Sequence, residues 1–321
     1  RDRAGKDRNH DRQWPANDQG HGMTSQTTIQ SGWIKRIEPW LLLAPMLIVL
    51  ATVTAWPLAR TAYLSSMHAT LDAGDLPRFI GFRNYLALMK DGDWWHAVRN
   101  SAFFSATFVT LETLAGVGIA LLIDSQLKGR GALRAVMLIP WAIPTVVSAQ
   151  MWQWMLHDQY GVVNALLIKL GLIAHGIAWT AGTGTAMAAI IAVDVWQTTP
   201  FMVLLILAGL QIIPRDLYEA AKVDGAPGWA QFFYITLPLL WPTLAVAILF
   251  RLLDAVRMFD LAYVLSSKSR ETATISIYAR QQLVDFQDVG YGSAVAMLVF
   301  VMISLVAAVY IQLTKIRLIS E

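Results

Sequence analysis

The stretch Ile213–Pro238 reads IPRDLYEAAKVDGAPGWAQFFYITLP and is the longest polar interruption between the apolar segments in the second half of the chain. Its first part begins at Pro214 and ends at Gly225, with acidic residues near the start. Proline at the first position, early acidic residues and a terminal glycine are typical of a short helix. The following Ala226–Gly228 predicts a turn, and the aromatic residues after it predict a second helix. The stretch is therefore predicted to be a helix–turn–helix in outline.

Apolar segments long enough to cross a bilayer, about 20 residues each, lie on both sides of this stretch. Hydrophobic residues make up 56% of the 321 positions and charged residues only 15%, which excludes an ordinary soluble enzyme and a disordered chain. The backbone of a span must satisfy its own hydrogen bonds, so the predicted fold class is an all-α polytopic membrane protein. Six transmembrane helices are predicted: Trp40–Ala59, Ser101–Ile123, Ala135–Leu156, Thr185–Leu210, Leu239–Leu265 and Val289–Thr314.

Several kinds of function are excluded by composition and missing motifs. The chain has no cysteine, which rules out disulfides and thiolate metal sites, and its six histidines show no H-E-x-x-H spacing. It has no G-x4-G-K-[ST] phosphate-binding loop, so it is not predicted to bind ATP itself. A net charge of +3 without a basic run does not indicate nucleic acid as a partner.

Two regions are predicted, a flexible cytoplasmic N-terminal tail at residues 1–38 and a transmembrane domain at residues 39–321. Residues 1–22 are polar and without apolar periodicity, which suggests an extension ahead of Met23. Basic residues near the ends of the spans favour a multi-pass plasma-membrane protein with both termini in the cytoplasm. Those residues are Lys35, Arg36, Lys128, Arg130, Arg134, Lys315 and Arg317.

The polar stretch has two interpretations from its residues alone: a handle for a partner protein, or an ordinary surface loop that connects two spans. Its spacing, however, resembles the EAA-x3-G-x9-I-x-L-P signature of the permease subunits of ABC importers. The matching positions are Glu219, Ala220, Ala221, Gly225, Ile235, Leu237 and Pro238. Further segments resemble the carbohydrate-uptake, MalF/UgpA-like branch of these permeases: Phe79–Tyr85, Gly161–Leu167 and Met258–Leu265. Ser266–Ser269 departs from the T-x-G-G-P that is frequent there, and within the branch the chain resembles the trehalose-importer permease of actinobacteria.

This resemblance implies the type I ABC importer permease fold, with a cytoplasmic coupling helix between spans four and five. The implied partners are a second permease subunit, two ATPase subunits, an extracytoplasmic sugar-binding protein and membrane lipid. ATP and Mg would be bound by the ATPases, and no cofactor by this non-catalytic chain. Glu219 would contact the ATPase, Asp224 lies beside the turn residue Gly225, and the implied substrate is a neutral sugar such as trehalose.

Four charged residues follow one another at steps of three in predicted span five: Arg251, Asp254, Arg257 and Asp260. A charge at the centre of a bilayer is unfavourable by about 2.5–3.5 kcal/mol, so Arg251 and Asp254 must face protein or water. A continuous helix would place Asp260 near the outer mouth. We interpret the series as the lining or gate of a translocation pathway; the alternative is a ladder of structural ion pairs.

Other intramembrane polar residues are weaker candidates for the same pathway. Glu112 and Asp194 are single acids in otherwise apolar spans, and each fits either a hydrogen-bonded contact between helices or a functional role. Gln153, Trp152 and Gln197 could contact a sugar through amide and aromatic groups, although tryptophan near a span end is more often an interfacial anchor. An ion- or proton-coupled secondary transporter that uses the acids as a relay is the alternative function.

Overall fold

The computed structural model describes residues 32–71, 76–125, 130–266 and 269–314, and this part of the chain is mainly helical. The chain divides into two compact units, Arg1–Trp56 and Pro57–Glu321. Most of the predicted tail, residues 1–31, lies outside the described residues, as do Lys128, Ser267, Lys268, Lys315 and Arg317. The orientation and tail predictions that rest on them stay predictions.

In the first unit the described residues form α1 (Gly32–Leu50), followed by a π-helical segment, Ala51–Ala55. Large apolar side chains along it are exposed, among them Leu42 and Val53. An exposed apolar surface of this kind is suited to lipid or to a partner subunit rather than to water.

The remaining helices, in chain order, are α2 (Trp56–Ser65), α3 (Arg83–Lys90), α4 (Gly92–Asp124), α5 (Arg130–Met137), α6 (Ile139–Ala142), α7 (Thr145–Met155), α8 (Val162–Lys169), α9 (Thr183–Ile212), α10 (Arg215–Val223), α11 (Gly228–Gln231), α12 (Leu237–Val256), α13 (Asp260–Leu265), α14 (Ile275–Arg280) and α15 (Val289–Thr314). The strands β1 (Met67–His68) and β2 (Arg78–Phe79) form one antiparallel pair, with Met67 opposite Phe79. Two further π-helical segments, Phe232–Thr236 and Gln281–Asp285, and a 3₁₀ turn at Arg270–Thr272 complete the described elements.

Five continuous helices in the described part of the chain are long and apolar enough to cross a membrane. They are Pro39–Ser65, Gly92–Asp124, Gly184–Ile212, Gly228–Val256 and Val289–Thr314. The predicted third span, residues 135–156, is instead divided among α5, α6 and α7. Pro144 follows Ile143, which has the extended backbone that proline imposes on the residue before it. The six-span count therefore stays a prediction.

The predicted fifth span also differs from the structure, because its helix ends at Val256 rather than at Leu265. Arg257, Met258 and Phe259 form a non-helical break before α13 begins at Asp260. The prediction of one straight helix that carries Asp260 to the outer mouth was therefore wrong. The break instead turns the polar residues at the end of α12 towards a cavity.

Helices α4, α9 and α12 pack together at the centre of the second unit. Phe108 of α4, Ile190 of α9 and Ala255 of α12 are fully or almost fully buried. Small residues allow close approach at the crossing of α9 and α12, where an added Cβ at Gly209 would lie 2.8 Å from Leu240 Cδ1 and 2.9 Å from Thr243 Cβ. The core is therefore formed by three helices that are separated by long stretches of the chain.

At one end of the unit, polar side chains tie the loops to the helices. The amide of Asn84 donates to the carbonyls of Ser65 and Met67, both at 2.9 Å. Asp91 caps α4 by accepting from the backbone N–H groups of Asp93 and Trp94, and it also accepts from the Tyr278 hydroxyl at 2.6 Å. Burial raises the pKa of Asp91, but these hydrogen bonds outweigh it, so the pKa lies below its usual value.

We expect Gly209→Ala to destabilise the protein by about 1–3 kcal/mol, because the added methyl group overpacks the α9–α12 crossing. The measurement is thermal unfolding of the purified protein in detergent. Gly118→Ala is the matched control, since an added Cβ there meets no atom within 4 Å and alanine has the higher helix propensity. Equal unfolding temperatures for the two variants would contradict the packing that we describe.

Candidate functional site

A cluster of buried charges joins the three central helices. Arg251 of α12 is 3% exposed, Glu112 of α4 is fully buried and Asp194 of α9 is 7% exposed. The guanidinium Nε and Nη2 atoms contact Glu112, the latter at 2.9 Å, and Nη2 also contacts Asp194. One guanidinium therefore binds carboxylates from two other helices. This is the kind of pairing that makes charge tolerable inside a membrane.

The remaining nitrogen of the same guanidinium, Nη1, faces a partly open region. It donates to Asp254 one turn further along α12, at 2.8 Å, and the Asp254 side chain is 67% exposed. The Arg251 guanidinium lies over the Phe108 ring, with 5.8 Å between Cζ and the ring centroid. The Thr198 hydroxyl contacts Glu112 as well. Because its nitrogen atoms are bonded in this way, Arg251 links α4, α9 and α12. We call Arg251, Glu112 and Asp194 together the brace.

Three carboxylates thus meet one guanidinium, and two of the three are buried. Steps of three along α12 correctly indicated the contact of Arg251 with Asp254. They did not indicate its contacts with Glu112 and Asp194. A signal was present in the sequence: three neighbouring spans each carry a charge, and buried charges need partners of the opposite sign. Which spans are neighbours is information that a single sequence does not contain.

A partly open cavity with an empty volume of about 560 Å³ lies beside this cluster. Six of the nine predicted pathway residues line it: Asp194, Gln197, Arg251, Asp254, Arg257 and Asp260. Arg257 and Asp260 reach it because the chain breaks between α12 and α13. Thr145 and Thr198 also line it, and of these two the sequence pointed to Thr198, as one of the polar residues after Asp194, but not to Thr145. The groups in the cavity can donate and accept several hydrogen bonds from a polar solute.

The other three predicted pathway residues lie elsewhere. Glu112 is behind Arg251 and does not line the cavity. Trp152 packs edge-on against Trp196, with 5.4 Å between ring centroids, at the edge of an apolar core. The amide of Gln153 donates to the carbonyl of Val264 at 3.1 Å and lines a different pocket. The structure therefore does not bring these three to the central cavity.

The polar stretch between α9 and α12 forms the short helix that its residues predict. Glu219 and Ala220 on α10 are exposed. Gly225 has φ +75°, a left-handed conformation that glycine adopts without strain. The N–H of Ala226 donates to the carbonyl of Ala221 at 2.8 Å, which closes the end of the helix in the way expected after such a residue.

Side-chain contacts hold this exposed helix against the start of α12. The hydroxyl groups of Tyr218 and Thr236 lie 2.9 Å apart, and the amide of Gln231 donates to the carbonyl of Ala226 at 2.8 Å. Leu237 and Pro238 are the first two residues of α12. Asp224 is exposed and lies next to Gly225. Hydrogen bonds therefore join α10 to the segment that leads into the helix carrying Arg251.

An open groove with an empty volume of about 1080 Å³ lies between α10 and the ends of α4 and α9. Arg215, Glu219 and Lys222 from α10 and Asp124 from α4 line it. In the described ranges, no group of three or more histidine, cysteine, aspartate or glutamate residues is arranged to hold a metal ion. The groove presents mixed charge, which suits a protein surface of complementary charge.

A mainly helical membrane body with a charged central cavity and an exposed helix between two spans is typical of a transport protein. Residues 112–316 match the family described as binding-protein-dependent transport system inner membrane component. The chain belongs to this family, and it is a non-catalytic membrane component of an ABC transporter.

Three relatives align over most of the chain. The trehalose/maltose transport system permease protein MalF of Thermococcus litoralis is 41% identical, covering 87% of this chain and 94% of its own length. The sulfoquinovosyl glycerol transport system permease protein SmoG of Agrobacterium fabrum is 40% identical, with coverages of 87% and 91%. The trehalose transport system permease protein SugA of Mycobacterium tuberculosis is 34% identical, with coverages of 85% and 87%. The predicted family is therefore confirmed.

A solved structure shows the same fold. A chain of a bacterial alginate ABC transporter, in complex with a periplasmic protein bound to an alginate pentasaccharide, superimposes with a TM-score of 0.78. It is 22% identical, and the match covers 89% of this chain and 97% of that one. The predicted ABC importer permease fold is confirmed.

We expect Arg251→Ala to lower the free energy of unfolding by about 3–5 kcal/mol, because it leaves Glu112 and Asp194 buried without a positive partner. Asp254→Asn is the control, with an expected loss of less than about 1 kcal/mol for a largely exposed partner. Thermal unfolding in detergent measures both.

The triple variant Glu112→Gln, Asp194→Asn, Arg251→Met removes all three charges together and should recover much of the lost stability. If Arg251→Ala lowers the free energy of unfolding no more than Asp254→Asn does, Arg251 does not hold the three helices together.

Proposed function

We propose that this chain is the permease subunit of an ATP-driven sugar importer. It forms one half of the translocation pathway, and a second, similar permease supplies the other half. Two ATPase subunits, which bind ATP and Mg, dock on the α10 side, and an extracytoplasmic binding protein delivers the sugar. The names of the three relatives, each of which includes a sugar or a sugar derivative, support sugars as the substrate class.

The observation that carries the proposal is the exposed α10 with Gly225 at its end. The helix projects from the membrane body with Leu217 and Val223 exposed, the latter at 88%, beside the charged Glu219. Apolar side chains next to a charge are typical of the centre and rim of a protein interface. We assign α10 as the coupling helix that an ATPase subunit grips, with Glu219 as its charged contact and Gly225 as its turn.

The central cavity is proposed as part of the sugar pathway. Asp254, Arg257 and Asp260 are exposed there and can exchange water for sugar hydroxyls, Asp254 while it also accepts from Arg251, whose guanidinium is occupied by its carboxylate partners. Gln197 lines the same cavity with its amide held by the carbonyl of Ile143 at 3.1 Å. Arg251, Asp194 and Glu112 then act as the brace that keeps the wall in place.

A neutral sugar such as trehalose fits this wall better than an acidic one. Asp254 and Asp260 place two carboxylates in the cavity against the one exposed guanidinium of Arg257. An acidic solute would meet a repulsive field in a region where charges are poorly screened. The names of two of the relatives include trehalose, which agrees with this assignment.

The membrane arrangement follows from the same assignment. α10 faces the cytoplasm, where the ATPases are, and the loop that precedes α9 faces the outside. With an even number of spans, six, both termini lie in the cytoplasm. The protein would then be a multi-pass component of the plasma membrane.

We expect Gly225→Val to abolish or strongly reduce ATP-driven sugar uptake while the chain still inserts into the membrane. A β-branched residue is unfavourable at φ +75°, so the turn after α10 and the position of Glu219 would change. Uptake of radiolabelled trehalose by proteoliposomes that hold the complete transporter measures the effect, and the amount of chain in the membrane fraction shows insertion.

Gly228→Val is the matched control in the same loop. Gly228 has no positive φ, and an added Cβ there meets nothing within 4 Å. Near-normal uptake is expected for it. Uptake in the Gly225 variant that equals uptake in this control would exclude α10 as the coupling element.

A further inference from the structure

A second polar pocket lies at the other end of α7 from the central cavity. Thr145 at the start of α7 lines the central cavity, whereas Gln153 and Trp154 near its end line this second pocket. At about 1.5 Å per residue, the two sets are about 13 Å apart along the helix. The second pocket has a volume of about 420 Å³, within the range of about 300–1,000 Å³ that is usual for small-molecule sites.

The position of this pocket in the membrane follows from α9. Ala178 and Ala181, which line the pocket, lie just before α9 begins, and α10 follows directly after α9 ends. The 30 residues of α9 span about 45 Å, so the pocket and α10 are on opposite sides of a bilayer. With α10 in the cytoplasm, the pocket opens to the outside.

The walls of the pocket combine exposed aromatic rings with hydrogen-bonding groups. Trp154 is 67% exposed and Tyr160 is 61% exposed, with 5.9 Å between their ring centroids. The His157 ring stacks on Tyr160 at 3.6 Å. Asp158 Oδ1 accepts the backbone N–H of Gln159 at 3.0 Å and lies 3.0 Å from His157 Nδ1, while the Asp158 side chain stays 47% exposed. A sugar presents C–H faces to aromatic rings and hydroxyl groups to carboxylates, and this wall offers both.

The backbone around the pocket is held rigidly by one buried side chain. Asn164 is 3% exposed, and its amide donates to the carbonyls of His157 and Asp158 at 3.2 Å and of Ile177 at 2.9 Å. Its oxygen accepts from the Trp179 indole at 2.8 Å. A pocket fixed in this way loses little conformational entropy when a ligand binds, which favours affinity.

We infer that Trp154, Asp158 and Tyr160 form an outer saccharide site, in which a neutral sugar stacks on the aromatic rings and donates a hydroxyl to Asp158. The inference rests on the proposed function, because it gives a sugar importer a first site on the outer face ahead of the central cavity. The sugar would pass from this site along α7 to the region of Asp260 and Asp254.

The test uses the chain purified with its co-expressed partner subunits and labelled with 5-fluorotryptophan at all 13 tryptophans. Trp154→Phe identifies the fluorine NMR resonance of Trp154, and Trp40→Phe identifies that of Trp40, an equally exposed tryptophan at 66% in the first span. Trehalose and maltose are then titrated in separate experiments without any binding protein.

The expected result is a saturable shift of the Trp154 resonance with at least one of the two sugars, while the Trp40 resonance stays in place. Asp158→Asn should raise the half-saturating sugar concentration about tenfold, because an uncharged acceptor binds a hydroxyl more weakly. Tyr160→Phe keeps the ring and should leave the shift detectable.

The proposal is overturned if the Trp154 resonance moves with neither sugar up to the solubility limit, or if Asp158→Asn titrates like the wild type. It is also overturned if the resonance moves only when the binding protein is added, since the face would then be a docking surface for that protein. These failures leave ATP-driven uptake intact. Failure of the proposed function would appear instead as normal uptake in Gly225→Val, with the sugar titration unaffected.

Discussion

The contact of Arg251 with Glu112 and Asp194 is the interaction on which the rest of the second unit depends. Each of these charges alone would be costly inside a bilayer, so the three helices that carry them must stay together as long as the charges stay buried. The packing of α4, α9 and α12 then depends on electrostatics as well as on apolar contact. The cavity is possible because this brace holds its wall in place from behind.

The brace also connects the two ends of the proposed mechanism. α12 begins at Leu237, immediately after the polar stretch that Tyr218 and Thr236 join to α10, and it carries Arg251 further along the same helix. A displacement of α10 would therefore also displace the N-terminal end of α12. Rigid helices with discrete contacts are the physical means by which a distant event reaches a cavity. The break between α12 and α13 lets the outer segment respond separately from the helix below it.

Much of this architecture could be predicted from the sequence, because an apolar span or a turn is determined by residues that are close together in the chain. The spans around α4, α9 and α15, the helix at α10 and the turn at Gly225 all follow from residues near one another in the chain. The helix breaks at Pro144 and after Val256 were missed. Proline is tolerated inside spans, so Pro144 alone does not predict a break, and nothing between Val256 and Asp260 is a strong helix breaker. The pairing of Glu112 with Arg251 joins residues 139 positions apart, and only the packed structure brings them together.

The central claim is that transport through this chain is powered by ATPase partners rather than by the chain itself. The most direct measurement is uptake of radiolabelled trehalose or maltose by two sets of proteoliposomes, one with the chain alone and one with the complex of two permeases and two ATPases. We predict uptake only by the complex, dependent on ATP and on the binding protein and blocked by vanadate. Uptake by the chain alone, driven by a proton gradient, would contradict the account and would make Glu112 and Asp194 a relay.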